Sequence, residues 1–184
     1  MKKIVLLGDS LRLMGYGTKL QEIMGDEYEV WQTDDNGRFA AYTFRLLSNY
    51  EKHVKEADII HWNNGVWDTM RLYGDGTFTT LEDYKKTVLR MAKVMIEYYG
   101  KKVIFATTTP VDERYPYAKN EDIEKFNAAV VPELKEMGVI INDLHAFVSP
   151  HKEEYIKEGD YIHLSEKGID ACAKEVARII KENI

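Results

Sequence analysis

The feature that most constrains the fold of this chain is an alternation of two kinds of segment. Short apolar runs rich in β-branched residues are separated by longer stretches in which apolar residues recur every three or four positions. The runs are IVLL (4–7), YEVWQT (28–33), ADIIHW (57–62), KVIFATT (102–108) and VIIND (139–143). Runs that alternate with helical segments in this way belong to a parallel sheet covered by helices on both faces. The helical stretches lie at about 14–24, 38–53, 80–99, 120–137 and 165–182. Five strands joined by right-handed crossovers predict an α/β fold, a three-layer α/β/α flavodoxin-like sandwich with a five-stranded parallel sheet in the order 2-1-3-4-5.

The helices carry their own start and stop signals. Thr80 with Asp83 resembles a capping box, after which Leu81, Tyr84, Val88, Met91, Met95 and Tyr98 keep one face apolar until Gly100. The next helix opens at Asn120 and carries Pro132, which is expected to kink or split it. The last begins near Ser165, and Cys172 sits at core spacing within it, where it reads as packing. No repeat, low-complexity linker or composition break divides the 184 residues, so residues 1–184 are expected to form a single domain.

Twenty-five basic against thirty-one acidic residues leave a formal charge of −6, spread along the chain. This argues against nucleic acid or an anionic membrane as a main partner and suits a small-molecule substrate. The N-terminus offers two lysines and four apolar residues before GDS, too short a run for a signal peptide, and no run approaches a membrane span. A lone cysteine cannot form an internal disulfide, so a cytoplasmic location is expected. Oligomeric state is not written in the sequence.

Ligands of doubly wound sheets bind beyond the carboxyl ends of the strands, at the switch point beside the first strand. There the chain reads GDSLR (8–12), and Ser10 is a candidate nucleophile. A serine hydroxyl needs a base, and the base needs a third group to fix its tautomer. Of the five histidines, His53, His61, His145 and His151 occupy ordinary structural or solvent positions. His163 differs: in GDYIHLSEKG (159–168), Asp160 stands three residues ahead of it in a loop before a helix. That spacing lets the carboxylate fold back onto one ring nitrogen and leaves the other to face a serine. Donors for a developing oxyanion could come from Gly37 in TDDNGRFAAYTFR (33–45) through its backbone N–H, and from the side chain of Asn63 or Asn64 in HWNNGVWD (61–68). Asp9 reads as a brace for the loop. Each element alone is equally a common turn.

Taken together, GDS (8–10), NGR (36–38), WNNGVWD (62–68) and DYIH (160–163) resemble, in order and over nearly the whole chain, the GDSL or SGNH hydrolases, a family of serine esterases and acylhydrolases. The subgroup with H-x-N-x-G followed by W-D, and with TTTPV as at 107–111, is most similar. The resemblance implies Ser10 as nucleophile, His163 as base oriented by Asp160, and an oxyanion hole from the Ser10 N–H, the Gly37 N–H and Asn63. The family's third block is more often G-x-N-D, whereas Gly65 follows Asn64 here. No G-x-S-x-G elbow is present. No metal or organic cofactor is required.

The reaction so implied is hydrolysis of a small-acyl ester, acetyl above all, on a carbohydrate. Arg38 and Trp67, with Trp62 and Tyr42, stand near the site in sequence, where aromatic faces and a guanidinium can hold a sugar; packing of the loops explains the tryptophans equally well. A lipase would need a long apolar surface near the site, and the sequence shows none. The alternatives are a lysophospholipase- or thioesterase-type acylhydrolase and a non-catalytic glycan-binding relative. A phosphorylation receiver would need an aspartate where Asn63 and Asn64 stand, and a flavin carrier a phosphate loop that GDSLRLMG does not supply.

Overall fold

The computed structural model describes residues 1–184. Strands β1 (Lys2–Gly8), β2 (Tyr28–Gln32), β3 (Ile59–Asn63), β4 (Lys102–Ala106) and β5 (Ile140–Asn142) form one parallel sheet in the order β2-β1-β3-β4-β5, as expected. The helices are α1 (Gly17–Met24), α2 (Ala40–Asn49), α3 (Glu51–Glu56), α4 (Leu81–Lys93), α5 (Asn120–Glu136), α6 (Leu144–Val148), α7 (Lys152–Tyr155) and α8 (Glu166–Asn183). None is long and apolar enough to cross a membrane.

Alternation along each strand divides the core in two. Ile4, Leu6, Ile59 and Ile104 face α1 and α8, packing with Leu20, Cys172, Val176 and Ile180. Val5, Leu7, Ile60, Trp62, Val103 and Phe105 face the other way, against Leu47, Val54, Val88, Met91 and Phe126 of α2 to α5. Both faces are covered, which is why the runs are apolar throughout and not alternating.

Three helical expectations are corrected. Tyr50 divides the stretch expected at 38–53 into α2 and α3. The chain turns helical earlier than 14, in a π-helical segment at Leu11–Tyr16 that Gly15 interrupts before α1. Pro132 does not split α5, which is continuous. The carbonyl left without a donor by Pro132 is that of Ala128, an exposed residue that water can serve. Phe126, Val130 and Leu134 stay buried on either side of Pro132, each contributing roughly 1.5–3 kcal/mol, which outweighs the ~3 kcal/mol cost of the proline. The short helices α6 and α7 are too brief to show a period in the sequence.

The chain leaves β1 for β2 on one side and returns over β1 to β3 on the other, so the carboxyl ends of β1 and β3 lie together at the switch point. Gly8 is in register with Asn63 there. The approach is so close that a Cβ on Gly8, at φ 133°, would lie 2.1 Å from Asn63 Oδ1. Glycine is the residue that fits both the dihedral and the space.

Candidate active site

The turn after β1 carries Ser10, 4 % exposed, into the cleft at the switch point. Its Oγ lies 2.9 Å from His163 Nε2. On the other side of the ring, His163 Nδ1 is 2.9 Å from Asp160 Oδ2 and 3.0 Å from Oδ1. Asp160 Oδ1 also accepts the N–H groups of His163 (2.8 Å) and Ile162 (3.1 Å). Burial pushes the Asp160 carboxyl up, but those N–H groups and the imidazole outweigh it, and it stays below the usual carboxylate range. An ionised carboxylate only accepts, so Nδ1 carries the proton and Nε2 is left to accept from Ser10. The D-x-x-H loop holds this shape through Tyr161, at φ 69°, whose carbonyl accepts the Asp112 N–H and whose ring lies 4.4 Å from the Arg114 guanidinium carbon.

The donors around Ser10 are more unequal than the sequence implies. The Ser10 N–H has no acceptor within the protein. Asn63 accepts the Tyr16 O–H at Oδ1 (2.9 Å) and gives one Nδ2 hydrogen to Asp9 Oδ1 (2.7 Å), so its second N–H remains free. Asn64 spends both amide hydrogens, on the Arg38 carbonyl and Thr43 Oγ1, each at 2.9 Å. Geometry therefore separates the two asparagines that the sequence leaves open. The Gly37 N–H already donates to the Gly8 carbonyl at 2.9 Å. A Cβ at Gly37 would sit 2.5 Å from that same carbonyl oxygen, which accounts for the glycine.

Asp9 braces the loop as expected, accepting the Leu11 N–H at 2.9 Å together with Asn63. Full burial raises its carboxyl to about 6, against the lowering pull of those donors and of Arg12. Arg12, the last residue of GDSLR, is fully buried and donates to the carbonyls of Thr33 (2.5 Å), Gly8 (3.0 Å) and Asp35 (2.7 Å). It ties the end of β1 to the loop that carries Gly37, a role that no local pattern announces. Asp68 accepts the Ala40 N–H (3.0 Å) at the start of α2 and the Thr79 hydroxyl (2.8 Å), and burial raises it to about 7. His61 is a core residue, its pKa lowered by burial to about 3.

Of the four residues considered for a sugar, only Trp67 lines the cleft beside Ser10 and His163. Trp62 is buried against Phe105 on the opposite face of the sheet. Arg38 is exposed, with its guanidinium stacked 5.1 Å from the Tyr42 ring centroid, and does not line the cleft. Although the sequence shows no long apolar surface near the site, the cleft of about 360 Å³ is walled mainly by apolar side chains, drawn from four separated stretches of chain.

No protein-family model matches the chain, and no curated protein does. Solved structures do. The lipase/acylhydrolase from Enterococcus faecalis superposes with a TM-score of 0.82 at 21% identity, covering 99% of this chain and 96% of that one. The acetyl xylan esterase AlAXEase gives 0.77 at 19%, covering 99% of each chain. A GDSL-like lipase from Bacteroides thetaiotaomicron gives 0.76 at 15%, covering 100% of this chain and 89% of that one. The chain has the fold of these proteins over its whole described length.

Proposed function

We propose that the chain is a serine-dependent carboxylic ester hydrolase of the GDSL, or SGNH, type. The observation that carries this reading is the continuous line Ser10 Oγ, His163 Nε2, His163 Nδ1, Asp160, with 2.9 Å at each of its two hydrogen bonds. The shared fold with a lipase/acylhydrolase and an acetyl xylan esterase supports it.

Ser10 Oγ bonds to the ester carbonyl carbon while His163 Nε2 takes the hydroxyl proton. The carbonyl oxygen becomes an oxyanion received by the Ser10 N–H and the free N–H of Asn63. The Gly37 N–H joins as a third donor by sharing its hydrogen between the Gly8 carbonyl and the oxyanion, a three-centre bond. Collapse breaks the ester C–O bond, and the alcohol leaves with the proton from His163. Water, deprotonated by the same imidazole, then releases the acid and restores Ser10. The substrate is a small-molecule ester. Acetyl is the smallest acyl group the cleft has to take, and a sugar hydroxyl is a suitable alcohol. Trp67 is the substrate contact that the geometry favours, and Arg38 is left outside.

Ser10→Ala should reduce turnover of an aryl acetate at least a thousandfold, a floor well under the ~10⁶ lost when such a nucleophile is removed, with the folded state unchanged by circular dichroism. Wild-type-like turnover, or failure of a fluorophosphonate to label Ser10 in the intact protein, would falsify the assignment and favour a non-catalytic glycan-binding role.

A further inference from the structure

The two sides of Ser10 and His163 differ in chemistry. On one side the cleft of about 360 Å³ is walled by Met14, Trp67, Met70, Leu72, Tyr115 and Ile162. Its polar groups are those of Ser10, His163 and Asn36, with the Tyr115 hydroxyl and the Trp67 indole N–H on the aromatic part of the wall. The first two are engaged with each other, and Asn36 Oδ1 already accepts the Arg38 N–H at 2.9 Å. The Asn36 NH₂, the Tyr115 hydroxyl and the Trp67 N–H remain for a ligand, three groups set in an otherwise apolar wall. A sugar ring placed here would meet these few groups and bury its remaining hydroxyls without partners, each costing about as much as an unmade hydrogen bond. An alkyl chain would lose nothing and would gain the burial of each methylene. Beyond Met14 and His163, which border both spaces, lies a second depression of about 520 Å³, also lined by Leu164 and Ile169, where Lys157 and Glu166 supply charged groups, Glu158 being held by Arg114 and Ser165 by the Glu154 carbonyl and the Gly168 N–H. The ring nitrogen that would protonate the leaving alcohol stands between the two.

Resting on the ester-hydrolase reading above, we infer that the apolar cleft binds the acyl chain of the substrate, a straight aliphatic acid several carbons long, and that the polar alcohol lies on the Lys157 side. Met14, half exposed on the turn after Ser10, forms the wall between them, and Leu72, 36 % exposed at the mouth, sets how long a chain enters. Met14, Met70, Leu72 and Tyr115, four of the six apolar wall residues, lie outside the four motif blocks.

The inference is tested with two substrate series and one pair of variants. With a fixed nitrophenol leaving group, kcat/KM should rise about fourfold per added methylene from acetate through butyrate to hexanoate, the gain expected for burial of a CH₂ group. With acetyl fixed and the alkanol lengthened, it should stay within about twofold. Leu72→Trp should lower the hexanoate-to-acetate ratio at least tenfold, and Leu72→Ala should raise the octanoate-to-hexanoate ratio. A flat or falling acyl series, a rise in the alkanol series instead, or ratios unmoved by the Leu72 variants would each overturn the inference while leaving the hydrolase reading intact. Absence of turnover for every ester, together with an unlabelled Ser10, would overturn both.

Discussion

Asn63 shows how one side chain is placed for chemistry by what it touches. A carboxylate can only accept, so Asp9 fixes the amide NH₂ on its own side, and the Tyr16 hydroxyl then faces the amide oxygen. The remaining N–H has one direction left. Tyr16→Phe removes the donor to a buried oxygen while keeping the ring that meets His61 edge-on. It should cost about 1 kcal/mol of stability by denaturant titration. In the proposed reaction it should lower kcat about tenfold with KM unchanged, less than the ~10²–10³ lost when an oxyanion donor is removed outright. A change confined to KM would show that Tyr16 acts on binding alone.

Asp68 is a buried residue whose charge state couples stability to pH. Burial raises its pKa from 3.8 to about 7, so between those values the folded state holds a proton that the unfolded state has lost. Stability from this group is complete below pH 3.8 and is lost as pH rises toward 7. Asn can accept the Ala40 N–H and donate to Thr79 Oγ1 without titrating. The melting temperature of Asp68→Asn relative to the wild type should therefore climb as pH is raised through that window. A difference independent of pH would mean that Asp68 stays ionised in the fold. His61, lowered by burial to about 3, pulls the other way as pH falls below 6.5, which is why the variant difference and not the wild-type curve is the readout.

At the scale of elements, α5 shows a local rule overridden by packing. A proline inside a helix lowers its propensity by the loss of one hydrogen bond and a ring clash, yet α5 runs through Pro132 because its apolar stripe is buried on both sides. Pro132 is exposed, so its replacement disturbs no core contact. Pro132→Ala should raise stability by about 1–3 kcal/mol, or several degrees in melting temperature for a chain of this size. An unchanged or lower melting temperature would indicate that the proline earns its place by restricting the unfolded chain. The turn after β1 makes a complementary point. Its first helical residues wrap so tightly that Leu11, Arg12 and Tyr16 are all buried, and the Asp9 carboxylate and carbonyl both accept N–H groups from the turn.

For the molecule as a whole, Cys172 is a ready reporter. It lies fully buried in the core between α8 and the sheet, and burial pushes its thiol up to about 12. Since the thiolate is the reactive form, a disulfide reagent should leave the native protein unlabelled and modify one thiol per chain on unfolding. Labelling in denaturant should follow the global transition seen by circular dichroism. Rapid native labelling would mean that α8 opens separately from the sheet.

Much of this molecule was legible in the chain. The strands follow from short apolar runs and the main helices from a period near four, which are local properties, and the sheet order from their alternation through right-handed crossovers. Ser10, Gly37, Asn63, Asp160 and His163 each sit in a short block whose residue types suit the chemistry, and the order of those blocks along an α/β sheet places them at one edge. Tertiary structure decided what depends on atoms brought together from far apart. It gave Asn64 two acceptors and left Asn63 one free N–H, turned the Gly37 N–H to Gly8, and buried Arg12 against three carbonyls. It also gathered Met14, Met70, Leu72, Tyr115 and Ile162 into an apolar cleft. Hydrogen-bond direction and cavity lining are set by distances between segments, and a linear pattern carries no such distances.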